Sequence, residues 1–201
     1  TRAIGLRGLR GSGMNIYTWT QFFRGFGGAF FQDFPNDMTP TINSPEAVKA
    51  VEFYAGLLQN FGPSDVAGYT NLDIQNAQMS GAIAITLDAN VFGAIVEDAN
   101  TSSTAGKWGY AMVPSGEGGQ WPSIYSHIMC INNYSDAKEA AWLFIEWATS
   151  PEITLKRGLE TGVPARKSTW ESEEFIEKMR YIGDGTYTQV CMEALEKADA
   201  S

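Results

Sequence analysis

The chain has little that suits catalysis, metal binding or a basic partner. Histidine occurs once, at 127, and cysteine twice, at 130 and 191. A lone histidine with no second histidine does not make a zinc site. No Gly-x-Ser-x-Gly elbow is present, so His127 has no obvious nucleophile to serve. No Walker A pattern and no G-x-G-x-x-G occurs, and no cofactor is expected. Lys and Arg total 14 against 23 Asp and Glu, a net charge of −9. That balance argues against nucleic acid and against anionic membrane surfaces. No apolar run approaches the length of a membrane span. Cys130 sits in the apolar run Ile128 to Ile131, which reads as a buried free thiol. An oxidising compartment would equally allow a disulfide with Cys191.

Aromatics are plentiful, 12% of 201 residues with six Trp. That length supports one large domain or two small ones. The densest stretch is Gly8 to Phe31, GLRGSGMNIYTWTQFFRGFGGAFF. Trp19, Phe22, Phe23 and Phe26 fall at helical spacing and give one apolar stripe. Tyr17, Thr18 and Thr20 stand at the start of that helix. Aromatic rings and hydroxyls at a helix mouth, beside glycines that admit a ligand to the backbone, suit a small polar ligand with an apolar face. Phe22, Phe26, Phe30 and Phe31 read as core, Tyr17 and Trp19 as binding residues.

Along the chain, Ala3 to Leu6 reads as a strand and Asp33 to Asn43 as a polar loop. Ser44-Pro45-Glu46 is a helix start, and Gly62-Pro63 its stop. Ala47, Val48, Val51, Tyr54, Leu57 and Leu58 make one apolar face. Asn71 to Ser80 reads as a helix. Ile83 to Leu87 is an apolar run suited to a strand buried on both faces. Val91 to Ala99 reads as helical. Trp108 to Val113 and Ser123 to Asn132 read as further strands. Ser135 is the expected cap of the next helix, which places Ala141, Phe144, Ile145 and Ala148 on one face. Ser150-Pro151-Glu152 opens a helix ending at Gly162. Ser168 with Glu171 has the capping-box pattern for a helix over Trp170 to Met179. Thr188 to Ala198 is the last helix. Strands alternating with helices give an α/β class.

Asp88 is the one carboxylate in an unusual place, at the end of an apolar strand. In open α/β sheets ligands bind at the C-terminal ends of strands. A carboxylate there can accept from two neighbouring hydroxyls. It can equally cap the helix that follows. Arg7 and Arg10 in the Gly-rich turn could cradle an anion. Trp121, Tyr125, Ser126, His127 and Arg166 are the other polar and aromatic groups placed in loops or at strand ends.

The segments TINSPEAVKAVEFYAGLL, EAAWLFIEWATSPE and ETGVPARKS, after the Gly/Arg turn and aromatic helix, resemble the carbohydrate-binding extracellular solute-binding proteins (family 1) of ABC importers. The GLRGLRGSG opening looks like their sugar-alcohol receptors. The resemblance implies a periplasmic-binding-protein-like type II fold, in which two α/β lobes are joined by a hinge. This chain, residues 1–201, is expected to be a single α/β lobe resembling the C-terminal one, with helices around a small mixed sheet. The resemblance places the N-terminal lobe before Thr1; TRAIGLRG itself reads as the middle of a strand, as in a fragment or a processed chain. The implied function is non-catalytic binding of a sugar or sugar alcohol for delivery to membrane permease subunits, by a monomer in the periplasm or outside the cell, lipid-anchored at full length. Tyr17, Trp19, Asp88 and Arg166 match cleft-facing positions of the family. Tyr125, Ser126 and His127 stand where relatives carry an aromatic strand, and His127 replaces the expected Trp. A carbohydrate-processing enzyme, or a receptor for an anionic or phosphorylated ligand using Arg7 and Arg10, are the competing readings.

Overall fold

The computed structural model describes residues 1–11 and 13–198, and its buried apolar residues fall in three clusters. Strand β1 (Arg2–Gly5) pairs in parallel with β4 (Ile83–Thr86), with Gly5 opposite Thr86. The intervening chain supplies α1 (Asn15–Gly25), a hairpin of β2 (Phe31–Asp33) and β3 (Asp37–Pro40), α2 (Pro45–Phe61) and α3 (Asn71–Met79). After β4 come a 3₁₀ turn (Asn90–Phe92), the short α4 (Gly93–Val96), a long irregular stretch, and α5 to α9 (Lys138–Ala148, Pro151–Thr161, Lys167–Trp170, Glu173–Met179 and Thr186–Lys197), with a second 3₁₀ segment (Ile182–Gly185) before α9.

The first core lies between α1, α2 and β1. Leu6, Phe23 and Ala50 are fully buried there, with Trp19 and Tyr54 nearly so. The Trp19 and Phe23 rings stack at 4.9 Å, and Phe30 meets Phe23 edge-on at 5.1 Å. The backbone comes close at Gly8, where a Cβ would sit 1.9 Å from the Val66 carbonyl oxygen. That approach lets the Gly8 and Leu9 amides both donate to the Tyr69 carbonyl, at 3.1 and 3.0 Å. The second core gathers Trp170, Phe175, Met179, Ile182, Tyr187 and Cys191 from the C-terminal helices. The Tyr187 hydroxyl donates to the carbonyls of Asn90 (3.0 Å) and Gly162 (3.1 Å), tying that core to the segment after β4.

Local signals placed several helices well. Ser44 Oγ accepts from the Ala47 amide and Pro45 is the first helical residue of α2. Ser150 does the same for α6 through the Ile153 amide, and Gly162 ends that helix in the left-handed region at φ 75°.

Other expectations are corrected. The loop over Asp33 to Asn43 contains the β2–β3 hairpin, whose turn holds a cis Phe34–Pro35 bond. Helix α5 starts at Lys138, and Ser135 Oγ accepts from Ala137 in the turn before it. The capping residue near 170 is Ser172, which accepts from the Phe175 amide and opens α8, so α7 and α8 replace one continuous helix. On α2 the buried residues are Ala50 and Tyr54, while Val48 and Val51 are more than half exposed. Strand β4 is buried at Ile83 alone: Ala84 on its other face is exposed, and Ile85, on the same face as Ile83, is 61% exposed.

Among the described residues, Trp108 to Val113 and Ser123 to Asn132 form no strand; there are only isolated bridge positions, at Ser123 and between Gly116 and Gly119. Their composition suits a strand, but a strand exists only where a partner edge accepts its ladder. The expected single mixed sheet is therefore two separate pairs, one parallel and one antiparallel. Both cysteines are free thiols, Cys191 buried and Cys130 exposed, so burial falls on the other cysteine from the one the apolar run suggested.

Candidate binding site

The C-terminal end of β4 lines a cavity of about 1880 Å³ that runs from α1 to the α6–α9 side. This exceeds the several hundred Å³ that a single small ligand fills. A monosaccharide-sized ligand would occupy one end of it. Tyr17, Asp88, Tyr125, His127 and Arg166 all line this space; Trp19 does not.

Helix geometry separates Tyr17 from Trp19. Two residues along an α-helix turn through about 200°, so the two rings cannot share a face. Trp19 takes the inner face of α1 and is 8% exposed against Phe23. Its indole Nε1 finds no acceptor there. Trp19 is thus part of the core, and the stripe that suggested a helix also fixes this. Tyr17 takes the outer face and meets the Tyr125 ring edge-on at 5.9 Å. Tyr125 in turn meets His127 edge-on at 5.0 Å. Residues 125 and 127 both line the cavity. Three rings from distant parts of the chain thus form one run along the cavity wall.

Beneath Tyr17 lies a charge pair that the sequence did not suggest. Arg7 Nε donates to both Asp88 carboxylate oxygens, at 3.1 and 2.9 Å, and Nη2 donates to Oδ1 as well. Nη1 donates to the Gly13 carbonyl, and the Ala89 amide donates to Asp88 Oδ1 at 2.6 Å. The two side chains are 8% and 3% exposed. The guanidinium carbon sits 4.7 Å from the Tyr17 ring centre and 6.0 Å from that of Phe92. Bidentate pairing and ring stacking are what guanidinium geometry favours.

The pair follows from strand register. Gly5 faces Thr86, and two residues further on each parallel strand stand Arg7 and Asp88. Asp88 does meet the following backbone, at Ala89, but the 3₁₀ turn over Asn90–Phe92 has no side-chain cap. Its main partner is Arg7. The proposed anion cradle of Arg7 and Arg10 is not formed: Arg7 is neutralised by Asp88, and Arg10 is exposed.

Hydroxyls support the pair from behind. Tyr54 donates to the Arg7 carbonyl at 2.6 Å and shares a 2.6 Å hydrogen bond with Thr18. Burial pushes the Tyr54 phenol up to about 12, with the Thr18 bond opposing the rise. The Tyr17 phenol is also raised, first by burial and then by Asp88, with Arg7 acting the other way. Both phenols remain neutral donors near neutral pH.

Arg166 lies elsewhere on the wall. It is exposed, and its Nε donates to the Thr149 carbonyl at 2.6 Å, holding the loop before α7 to the end of α5. Reading the sequence missed Phe92, which lines the cavity four residues after Asp88. It also gave Arg7 the wrong partner. The signal for Phe92 was its place in the turn that follows a strand end; that for Arg7 was visible only once β1 and β4 were known to be neighbours.

Residues 1–154 match the family described as bacterial extracellular solute-binding protein. The chain is 30% identical over 206 residues to the mannitol-binding protein of Pseudomonas aeruginosa, covering 98% of this chain and 44% of that protein. It superposes with a TM-score of 0.85 and 25% identity on an ABC transporter solute-binding protein of Agrobacterium radiobacter K84 solved with ribitol, covering 99% of this chain and 48% of that one. A maltose-bound T. maritima protein shares the fold at TM-score 0.84 and 22% identity, over 98% of this chain and 49% of that one. The chain thus spans about half the length of these relatives. From the family match and these superpositions, the chain belongs to the bacterial extracellular solute-binding proteins and carries the fold of the type II periplasmic receptors.

Proposed function

We propose that this chain is one lobe, the C-terminal one, of a receptor that binds a sugar or sugar alcohol and hands it to the permease subunits of an ABC importer. The observation that carries the reading is the ring run Tyr17–Tyr125–His127 beside Asp88 on one cavity wall, with Arg7 paired to Asp88 beneath Tyr17. A sugar or polyol has C–H faces and a rim of hydroxyls. The rings take the faces, and their phenol and imidazole groups take the hydroxyls. The mannitol-binding relative and the ribitol-bound structure favour polyols within that class.

The reading is non-catalytic. The carboxylate nearest the rings is committed to Arg7, and general acid–base work needs a carboxyl group free to exchange a proton. Site residues in this reading are Tyr17, Tyr125 and His127 in contact with ligand, with Asp88 behind them and Arg166 at the far wall. The receptor acts as a monomer in the periplasm or outside the cell, lipid-anchored at full length. The second lobe closes over the cavity, which accounts for a space too large for one small ligand.

Calorimetric titration of the full-length protein with mannitol, ribitol, erythritol, glucose and maltose tests this. Binding of one panel member, weakened about tenfold or more (1.4 kcal/mol or more) by Tyr17→Ala or Tyr125→Ala, is the expected result. Normal binding by both variants would place the site elsewhere. Heat from none of the panel would remove the carbohydrate reading.

A further inference from the structure

Resting on that polyol reading, we infer that the buried Arg7–Asp88 pair sets the charge of the ligand this wall accepts: Asp88 cancels Arg7 so that the site takes an uncharged polyhydroxy chain and rejects its anionic and cationic analogues. Asp88 is then a specificity-determining positioning residue acting through Arg7.

The geometry gives Asp88 this role in place of a direct sugar contact. Its Oδ1 accepts from Nε and Nη2 of Arg7 and from the Ala89 amide, and its Oδ2 accepts from Nε. With the carboxylate 3% exposed, little of it faces the cavity. Arg7 is spent likewise, on Asp88, on the Gly13 carbonyl and against the Tyr17 ring. Neither charge is free to meet a ligand, yet both lie directly under the ring that one would stack on. Removing either partner leaves a whole charge under Tyr17 in surroundings that screen it poorly. The other charged groups on the cavity lining, Arg157, Arg166, Lys167 and Glu196, belong to α6, α7, α9 and the loop before α7. Lys167 is 3.9 Å from Glu196 and 3.5 Å from Glu171, so that cation carries its own compensation, while Arg157 and Arg166 add the same charge to every variant compared.

Specificity is a difference of affinities, so the test is a ratio. The full-length protein is titrated with an alditol (mannitol or ribitol, whichever binds), the aldonate of the same chain length, and the 1-amino-1-deoxyalditol. These differ only at one terminus, as CH₂OH, COO⁻ and CH₂NH₃⁺. The native protein is expected to prefer the alditol over both by about a hundredfold. Asp88→Asn shifts the ratio toward the aldonate by about tenfold or more, and Arg7→Met shifts it toward the amine. Arg7→Met with Asp88→Asn restores the native ratio to within about threefold. A merely structural pair would lose all three ligands together and leave the ratios fixed, which would overturn the inference. If one single variant does not fold, the other carries the test in its own direction. If neither folds, the native protein decides: equal binding of alditol and aldonate overturns the proposal. Failure of the native protein to bind any alditol or sugar would instead remove the polyol reading, a distinct result.

Discussion

Helices α1 and α5 have the same length, 11 residues each, and both are rich in aromatics, NIYTWTQFFRG and KEAAWLFIEWA. Yet α1 buries Thr18, Trp19, Phe23 and Gly25, whereas α5 buries none of its residues. On α5 Ala141, Ile145 and Ala148 are half-covered, and Trp142, Leu143, Phe144 and Trp147 are each 57–63% exposed. The difference lies in what faces each helix. Helix α1 lies against α2 and the first strand. Helix α5 follows a long irregular stretch and meets little beyond α6. Apolar periodicity therefore reports that a helix has a face to cover. It does not report what covers it, and the energy of covering lives in the partner.

The sharpest way to break this comparison is to truncate one ring on each helix. Phe23→Ala should cost about 3–5 kcal/mol, because a fully buried ring leaves a cavity between Trp19, Phe30 and the backbone at Gly28. Phe144→Ala should stay within about 0.5 kcal/mol. Urea unfolding of both variants of this chain measures the pair. A loss at Phe144 as large as that at Phe23 would mean that the α5 face is covered in solution.

A polar test of the α1–α2 contact is Tyr54→Phe. It strips the buried hydroxyl that joins Thr18 to the Arg7 carbonyl and should cost about 1–3 kcal/mol in the same assay. Alkaline pH probes the same hydroxyl more gently. With its native pKa raised to about 12, the phenol contributes stability that is complete below about 10 and drains away as pH rises toward 12, since only the unfolded chain ionises in that window. Cys191, pushed up to about 11 chiefly by burial, adds the same sign of effect from about 9 upward. Thermal melts should fall steadily from pH 9 to 12, and less steeply in Tyr54→Phe. The smallest effect on stability is expected from Trp142→Lys with Trp147→Lys. Melting should hardly move, while binding of a hydrophobic dye and self-association should fall, because a contiguous apolar patch on α5 has been charged.

Much of the local structure was legible because caps and stops act over a few residues. Ser44-Pro45, Ser150-Pro151 and Gly162 specify their helices with no help from elsewhere. Ser135 and Ser168 carry the same chemistry, and each lost to a neighbouring start, Lys138 and Ser172. The separation of Tyr17 from Trp19 was also available, since 200° of helix rotation is fixed by spacing alone. What stayed hidden depends on distant partners. Trp108 to Val113 and Ser123 to Asn132 have strand composition and no ladder. Asp88 stood out as an oddly placed carboxylate, and its partner Arg7, 81 residues away, was assigned to an anion. Only the pairing of β1 with β4 brings them together.

That pairing also governs how the cavity wall comes into being. Strands β1 and β4 are joined by about 80 residues, and a parallel pair cannot form from a local turn. Closing so long a loop spends chain entropy before any contact repays it. Tyr17 is held by Arg7, Arg7 by Asp88, and Asp88 by the end of β4. The first ring of the wall thus has no seat in a nascent chain until residue 88 has been made and docked.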